Sequence, residues 1–324
     1  MLAINRDVAD DIASALREAL TTINRYPDRE FTGLREALAI YVGEGVTADQ
    51  IWAANGSNEV LQQILQAFGG PGRTLMGFPP TYSMYPLLAE GTGTGWVTAQ
   101  RGADYEITAD IAVNAIREHE PNIVVFCAPN NPTGTGLDLD VVKAAYDAFD
   151  GIVIVDEAYH EFMPDDQLRA TSLLPGRPRL LVSRTMSKAF AFAGARVGYL
   201  VADPAAIDAL RLVRLPYHLS ALTQAAATTA LKHTPVMLAM VDDICRQRDR
   251  LVRELPALGY TVHDSQTNFV LFGGVSDPNG TFNALLKKGI IIRDVGIPNH
   301  LRVTAGTEEE TTAFLSALAQ ITPC

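Results

Sequence analysis

Short apolar runs alternate with helix-like segments through the middle of this chain, and that alternation limits the folds open to it. Four runs have the length and the β-branched content of buried strands: Asn122–Phe126, Ile152–Val155, Leu180–Ser183 and Val197–Val201. Between the first two, Asp140–Phe149 has a helical pattern that ends before Gly151. This order is typical of a doubly wound, mostly parallel α/β sheet, in which ligands bind beyond the carboxyl ends of the strands.

The two ends of the chain differ from its middle. Apolar residues recur at helical spacing from Ile12 to Ile23, ahead of a turn at Tyr26-Pro27-Asp28. A long helix over Pro235–Leu255 then precedes strands at Asn268–Phe272, Ile290–Arg293 and Leu301–Thr304 and a final helix. We predict a large α/β domain over residues 24–235 and a smaller α+β domain from residues 1–23 and 236–324.

Composition excludes several classes of partner. The chain has 324 residues, 48% of them hydrophobic, and a formal net charge of −11, so its charge favours neither nucleic acid nor anionic membranes. It has no apolar run of about 18 residues, the length that a membrane helix needs. Cys127, Cys245 and Cys324 stand far apart without a CxxC pair, which suits a reducing cytoplasm. We expect a cytoplasmic protein with small-molecule substrates and no metal site.

The segment Ser183–Phe190 places Lys188 just after a predicted strand. The hydroxyls of Thr185 and Ser187 and the guanidinium of Arg196 are donors of the kind that surround a phosphate. Burial lowers the pKa of a lysine, and its neutral amine can then attack an aldehyde. These residue types favour an aldehyde cofactor carried as an imine on Lys188. The alternative is a solvated loop lysine, which would be the better interpretation of an isolated Ser-Lys pair.

Asp156 follows the apolar run Val153–Val155, which predicts a carboxylate at a strand end. A carboxylate there can hold a pyridine nitrogen protonated, which makes the ring an electron sink. Tyr159 comes soon after and could reach the ring's 3-oxygen. One alternative is an aspartate that caps a helix. A magnesium site of the Walker B kind is excluded because the chain contains no GxxxxGK[ST] loop.

Three further motifs supply candidate ligands. Asn131, within Pro129–Gly134, could donate to the same ring oxygen or lie in an ordinary turn. Ser57 and Asn58 open an apolar helix, where free backbone N–H groups form either an anion site or a simple N-cap. Tyr82 follows a Pro-Pro pair and could stack on a flat ring or pack at the surface.

Arg293 and Arg302 lie in apolar segments near the end of this acidic chain. Isolated arginines on strands are usually solvated or paired with carboxylates. A partly buried arginine needs an anionic partner, and a guanidinium matches phosphate or carboxylate with paired hydrogen bonds. We predict that both residues are partly buried and bind an anionic substrate.

The order of these motifs resembles that of the fold-type-I aminotransferases, which depend on pyridoxal 5'-phosphate. NNPTG, VDEAY, and SRTMSKAF followed by GARVGY carry this resemblance. More narrowly, NRYPD, ANGSNE, PPTYSMY, VRLPYHLS, SQTNFVLF, IIIRDVGIP and HLRVTAG are similar to histidinol-phosphate aminotransferases of the actinobacterial kind. The resemblance runs from about Val8 to about Ile321 and implies an α/β architecture of fold type I.

The resemblance also implies a role for each candidate around the cofactor. Lys188 matches the imine lysine and Asp156 the partner of the pyridine nitrogen. Tyr159 and Asn131 match the ligands of the 3-oxygen, and Tyr82 matches the stacking aromatic. The residues that match the phosphate site are Ser57, Asn58, Thr185, Ser187 and Arg196.

Other matched residues concern the substrate and assembly. Arg293 and Arg302 match arginines that hold the substrate's distal phosphate and the carboxylate of the amino donor. Tyr26 matches a tyrosine that reaches the cofactor phosphate of the other subunit, which implies a homodimer with shared active sites. The family carries a further N-terminal stretch with an Asn-Glu-Asn-Pro-Tyr segment that covers the site, whereas this chain begins almost at its first helix. We expect cofactor binding to be retained and substrate closure to be weakened.

The implied reaction transfers the amino group between L-histidinol phosphate and 2-oxoglutarate, giving imidazole-acetol phosphate and L-glutamate. An aromatic amino-acid aminotransferase is an alternative, because it shares nearly every motif. A catalytically impaired relative that only binds the cofactor is the second alternative.

Overall fold

The structure is a computed structural model that describes residues 4–321. Residues 1–3 and 322–324, and with them Cys324 and the outermost ends of the predicted smaller domain, lie outside the described residues. The strands are β1 (Ile51–Ala54), β2 (Thr74–Gly77), β3 (Gly95–Thr98), β4 (Ile123–Cys127), β5 (Ile152–Asp156), β6 (Leu180–Thr185), β7 (Gly198–Ala202), β8 (Thr261–Val262), β9 (Phe269–Gly273) and β10 (His300–Thr304). The α-helices are α1 (Arg6–Leu20), α2 (Thr32–Val42), α3 (Ser57–Phe68), α4 (Met84–Gly91), α5 (Ala109–His119), α6 (Leu139–Ala148), α7 (Pro204–Val213), α8 (Ala221–Lys232), α9 (Thr234–Glu254), α10 (Pro278–Lys287) and α11 (Glu308–Leu318).

Seven strands form the main sheet, in the order β1-β7-β6-β5-β4-β2-β3. Strands β6, β5, β4, β2 and β3 run parallel, whereas β7 is antiparallel to both β1 and β6. Strands β4 and β6 are buried along their whole length, as expected where helices cover both faces of a parallel sheet. The carboxyl ends of β4, β5 and β6 meet at one edge, where Cys127 pairs with Asp156 and Asp156 with Ser183.

A second, antiparallel sheet has the order β10-β9-β8. Helix α9 packs against β9 and against α11, and Arg248 within it donates from Nη1 to the carbonyl oxygen of Phe162 at 2.9 Å. That bond joins the helix to the segment that follows β5. Strand β10 brings Arg302 to the carboxyl edge of the main sheet, where Nη1 of Arg302 donates to Oδ1 of Asn131.

The elements predicted for the middle of the chain are confirmed to within one or two residues at their ends. The helix predicted over Asp140–Phe149 is α6, and the one predicted over Pro235–Leu255 is α9. Asp138 begins α6 because its side chain accepts a hydrogen bond from the backbone N–H of Asp140 at 2.8 Å. The strands predicted at Asn268–Phe272 and Leu301–Thr304 are β9 and β10.

The strand predicted at Ile290–Arg293 is wrong. The β pairing of this segment is an isolated bridge between Arg293 and Arg302. Gly289 and Gly296 flank the segment with φ of +79° and +73°, and Asp294 accepts a hydrogen bond from the Gly296 backbone at 2.9 Å. The chain therefore turns away before a ladder can extend, and apolar composition alone could not reveal this.

The extent of the first helix is also corrected. Helix α1 ends at Leu20, and Ile23 lies beyond it with 54% of its surface exposed. The hydroxyls of Thr21 and Thr22 donate to the carbonyl oxygens of the last helical turn, which ends the helix.

Helix α1 packs against α8, which belongs to the segment assigned to the large domain. The proposed boundaries of the two domains stay a prediction. Within residues 4–321, no helix combines the length and the apolar character that a membrane crossing requires.

Candidate active site

One cavity, with a volume of about 590 Å³, opens at the carboxyl edge of the main sheet. It brings together all but one of the side chains predicted from the sequence. Those that line it are Ser57, Asn58, Tyr82, Asn131, Asp156, Tyr159, Thr185, Ser187, Lys188, Arg196, Arg293 and Arg302. They line one cavity, and their individual roles stay predictions.

Asp156 forms part of the cavity where β5 ends, and it is only 2% exposed. Its carboxylate accepts hydrogen bonds from the hydroxyl of Tyr85 to Oδ2 at 2.9 Å and from Ser183 to Oδ1 at 3.3 Å. Burial raises the pKa of Asp156 to about 6, and these hydrogen bonds oppose the rise because they favour the charged form. These hydrogen bonds thus help to keep the carboxylate ionised in spite of its burial.

Lys188 follows β6 and lies partly buried beside the ring of Tyr159, with Nζ 5.5 Å from the ring centroid. Burial lowers the pKa of Lys188 from its usual value, and the positive charge of Arg302 lowers it further. Both effects favour the neutral amine, which is the nucleophilic and proton-accepting form.

The start of α3 forms a cradle for an anion. Gly56 has a φ of +90°, and a Cβ atom there would lie 2.4 Å from Nη2 of Arg196, so only glycine allows this approach. Gly198 similarly allows β7 to reach the backbone nitrogen of Ser57, which a Cβ would approach to 2.2 Å. Among the described residues no side chain caps this helix start, so its first N–H groups and the helix dipole remain available to a ligand.

Thr185 and Ser187 lie on the other side of this cradle. The hydroxyl of Thr185 donates to Oγ of Ser187 at 3.0 Å and accepts the Ser187 backbone N–H at 3.1 Å. Both residues are buried, so the hydroxyls are held in place by the turn that leads to Lys188. Together with Arg196 they give the cradle the donors that a phosphate requires.

Behind Lys188 a buried ion pair joins the ends of two strands. Nη2 of Arg184 lies 2.7 Å from Oε2 of Glu157, and the same guanidinium donates to the hydroxyl of Thr171 at 3.1 Å. The other oxygen of Glu157 accepts the backbone N–H of Ala170 at 2.6 Å. A buried ion pair with satisfied hydrogen bonds fixes geometry more than it adds net stability. Here it fixes the ends of β5 and β6, which carry Asp156 and Lys188.

The second sheet supplies the opposite side of the cavity. The guanidinium carbon of Arg302 lies 4.4 Å from the centroid of the Phe269 ring, and the buried Nε has no hydrogen-bond partner among the described residues. An unpaired buried donor of this kind indicates a binding site for an anion. Arg293 is exposed, which corrects the prediction that it is partly buried, because the segment that carries it leaves the sheet after one bridge.

Tyr26 is the predicted residue that lies apart from the cavity. Its side chain is 80% exposed and stacks on Tyr217, with ring centroids 4.5 Å apart. The sequence prediction placed Tyr26 in the site of a neighbouring subunit, and a single chain does not test it.

Sequence reasoning missed several residues that line the cavity and one, Tyr85, that lies behind it. Tyr85 and Cys127 contact the Asp156 region, and burial raises the pKa of the Cys127 thiol to about 12. The last position of a strand beside Asp156 was a usable signal for Cys127, whereas no local pattern indicated Tyr85. The other lining residues not predicted are Thr81, Ser83, Pro132, Ala158, Ala193, Asp294 and Val295.

Comparison with known proteins identifies the family. The family described as aminotransferase class I and II matches residues 3–318. The chain is 62% identical to the histidinol-phosphate aminotransferase of Paenarthrobacter aurescens, covering 96% of this chain and 85% of the relative. It is 54% identical to the enzyme of that name from Thermobifida fusca, covering 98% and 86% of the two chains.

Solved structures give the same result. The histidinol-phosphate aminotransferase of Sinorhizobium meliloti, crystallised with pyridoxal-5'-phosphate, superposes with a TM-score of 0.87 at 25% identity, covering 96% of this chain and 86% of that one. A putative histidinol-phosphate aminotransferase from Erwinia carotovora atroseptica superposes with a TM-score of 0.88 at 25% identity, covering 99% and 93%. The predicted fold class and the dependence on pyridoxal phosphate are thereby confirmed. The chain belongs to the class I and II aminotransferases and, within them, to the histidinol-phosphate aminotransferase family.

Proposed function

We propose that this protein transfers the amino group between L-histidinol phosphate and 2-oxoglutarate, giving imidazole-acetol phosphate and L-glutamate. The observation that carries the proposal is that two arginines, Arg302 and Arg293, line the same cavity as Lys188 and Asp156. A substrate with an anionic group at a distance from its amine matches that arrangement. The names of the close relatives support the same substrate.

The residues of the cavity fit pyridoxal phosphate. The uncapped start of α3, with Arg196 packed on Gly56, suits the phosphate, and Lys188 with Asp156 suits the two reactive positions of the ring. We assign the phosphate to Ser57, Asn58, Thr185, Ser187 and Arg196. The cofactor supplies an electron sink for the charge that develops at the substrate's Cα.

Lys188 performs the proton transfers in this proposal. Its amine, kept neutral by burial and by Arg302, removes the proton from the substrate's Cα and returns a proton as the conjugate acid. Burial also keeps bulk water away from the amine. The loop that carries Lys188 is held by the Arg184–Glu157 pair, so the base stays in reach of the substrate.

Asp156 holds the proton on the pyridine nitrogen, and Asn131 and Tyr159 bind the 3-oxygen. Asn131 is itself oriented, because its Oδ1 accepts a hydrogen bond from Arg302. Its amide nitrogen is therefore turned toward donation. Arg302 and Arg293 bind the distal phosphate of histidinol phosphate and the carboxylate of glutamate in the two halves of the cycle.

A screen of amino donors tests the substrate. Histidinol phosphate, phenylalanine and tyrosine are each added to the holoprotein, and conversion of the bound cofactor is followed by visible absorbance. We expect conversion with histidinol phosphate at far lower concentration than with the two amino acids. Equal use of phenylalanine would favour the aromatic aminotransferase, and conversion by none of them would favour the impaired relative.

We further propose a homodimer in which Tyr26 enters the neighbouring site. The exposure of Tyr26 and of nearby Ile23, Leu215 and Tyr217 supports a contact with a second chain. Mixing Tyr26→Phe with Lys188→Ala subunits yields heterodimers with one doubly defective site and one intact site. Activity of the mixture above that of either parent is the expected result, and its absence would show that the sites are not shared.

The cytoplasm is the compartment that we propose. Cys127 and Cys245 are free thiols in the part of the chain described, which supports a reducing environment. The division into a domain of residues 24–235 and one of residues 1–23 and 236–324 is proposed on the two separate sheets.

A further inference from the structure

Tyr85 is a buried tyrosine that the proposed mechanism leaves without a role. Its hydroxyl donates to Oδ2 of Asp156 at 2.9 Å, and its side chain is 2% exposed. The ring is fixed from a second side by Tyr82, which meets it edge-on with centroids 5.5 Å apart. Tyr82 in turn donates to Oδ1 of Asn58 at 3.1 Å, so Tyr85 connects Asp156 to the start of α3.

The contact with Tyr85 is the shorter of the two side-chain hydrogen bonds to the Asp156 carboxylate. Ser183 donates to Oδ1 at 3.3 Å, near the limit of a hydrogen bond, whereas Tyr85 bonds Oδ2 at 2.9 Å. A buried carboxylate without donors takes up a proton and turns neutral. A neutral Asp156 could not hold the pyridine nitrogen in its protonated form.

We propose that Tyr85 is a positioning residue for the cofactor, which acts by keeping Asp156 ionised and by fixing the orientation of its carboxylate toward the cavity. The inference rests on the proposed role of Asp156 and adds a residue on which that role depends. Tyr85 does not line the cavity itself, so its effect reaches the cofactor through Asp156.

The charged and titratable groups around Asp156 determine the direction in which loss of the Tyr85 hydroxyl shifts the pKa of Asp156. Burial raises the pKa of Asp156 to about 6, the hydrogen bonds from Tyr85 and Ser183 lower it, and the charge of Glu157 raises it. The other groups that face it are Cys127, Tyr82, Tyr159 and Lys188. Removing the Tyr85 hydroxyl therefore moves the pKa upward, and ionisation of Asp156 then requires a higher pH.

The test compares the affinity of the cofactor-free proteins for pyridoxal phosphate across pH, followed by visible absorbance. For Tyr85→Phe we expect binding at neutral pH to weaken by about ten-fold or more, and the rise of affinity with pH to move to higher pH. Tyr260→Phe is the matched control, because Tyr260 is also a buried tyrosine, 5% exposed, and its ring packs edge-on against Phe272 in the second sheet. Its binding curve should coincide with that of the wild type.

A second background separates positioning from a general loss of structure. In Asp156→Asn protein, position 156 no longer titrates, so adding Tyr85→Phe should leave the pH profile of binding unchanged. Ser183→Ala, which removes the longer contact, should shift the wild-type profile in the same direction as Tyr85→Phe but by less. An unshifted profile for Tyr85→Phe, or a larger shift for Ser183→Ala, overturns the proposal. Failure of the wild type itself to bind the cofactor would instead overturn the proposed function.

Discussion

The main sheet and the second sheet contribute two walls of one cavity, and the walls differ in burial. The sheet wall consists of Asp156, Thr185, Ser187 and Lys188, which sit at or soon after strand ends, and the first three are 2%, 3% and 8% exposed. The open wall consists of Arg293, Asp294, Val295 and Arg302, of which Arg293 and Asp294 are exposed. The cofactor would thus be held by a buried, rigid surface, and the substrate by a surface partly open to solvent.

This difference indicates which properties each wall can control. On the sheet wall, burial lowers the pKa of Lys188 toward the neutral amine, and it raises the pKa of Asp156 to about 6, a rise that the hydrogen bonds from Tyr85 and Ser183 oppose. On the open wall, water screens the charges of the exposed side chains, so substrate binding depends mainly on the guanidinium atoms that are shielded from water. Substitutions on the sheet wall should therefore affect turnover, and those on the open wall should affect substrate affinity.

Replacing Asp156 with alanine should have the largest effect. Without its negative charge the pyridine nitrogen loses its proton, and transaminase activity should fall by roughly 10³-fold or more, which is about 4 kcal/mol of barrier. Asp294→Ala is the control on the open wall, since Asp294 is exposed and accepts the Gly296 backbone N–H at 2.9 Å. Steady-state rates with histidinol phosphate measure both. Losses of similar size in the two variants would contradict the distinction between the walls.

Arg302→Lys should have an intermediate effect that appears in substrate affinity. Lysine cannot keep both the bond to Asn131 and a paired contact with an anion, because it lacks the planar fork of arginine. The Michaelis constant for histidinol phosphate should rise by about ten- to hundred-fold, corresponding to the loss of one charge-assisted hydrogen bond. The visible spectrum of the bound cofactor should stay unchanged. A changed spectrum with an unchanged Michaelis constant would place Arg302 on the cofactor side.

Arg293→Lys should have the smallest effect. Exposed ion pairs contribute about 0.2–1 kcal/mol, so the Michaelis constant should rise by only about two- to five-fold. Comparing the Michaelis constants of Arg293→Lys and Arg302→Lys at the same salt concentration isolates the contribution of burial to substrate binding. If Arg293→Lys has the larger effect, Arg293 must become buried when the substrate binds. Its exposure in the present structure would then not apply to the substrate-bound protein.

The difference between the regular sheet wall and the irregular open wall also explains how much of the site could be predicted from the sequence. Asp156 and Lys188 were found because each comes at or soon after the end of a strand that begins with an apolar run, Ile152–Val155 for Asp156 and Leu180–Val182 for Lys188. The strand at Ile290–Arg293 was wrong because a turn closed by Asp294 and two glycines ended the pairing after one bridge. The exposure of Arg293 follows from that turn and from no local pattern.

Other features depended on contacts between distant segments. Tyr85 reaches Asp156 across 71 positions of the chain, and Arg302 reaches Asn131 across 171. Neither contact has a signature in the residues beside it. The glycines at 56 and 198 look like ordinary turn residues until Arg196 and Ser57 are placed against them.

The covalent site of the cofactor is the central claim, and borohydride reduction tests it most directly. The chain has only five lysines, Lys143, Lys188, Lys232, Lys287 and Lys288, so proteolysis and mass spectrometry of the reduced holoprotein identify the labelled one without ambiguity. We expect the cofactor's mass on the peptide that contains Lys188, and no label in the Lys188→Ala variant. The control is Lys143→Ala, which removes an exposed lysine that pairs with Asp140 and should be labelled as the wild type is. A label on any of the other four lysines, or its persistence in Lys188→Ala, would contradict the assignment of the sheet wall as the cofactor site.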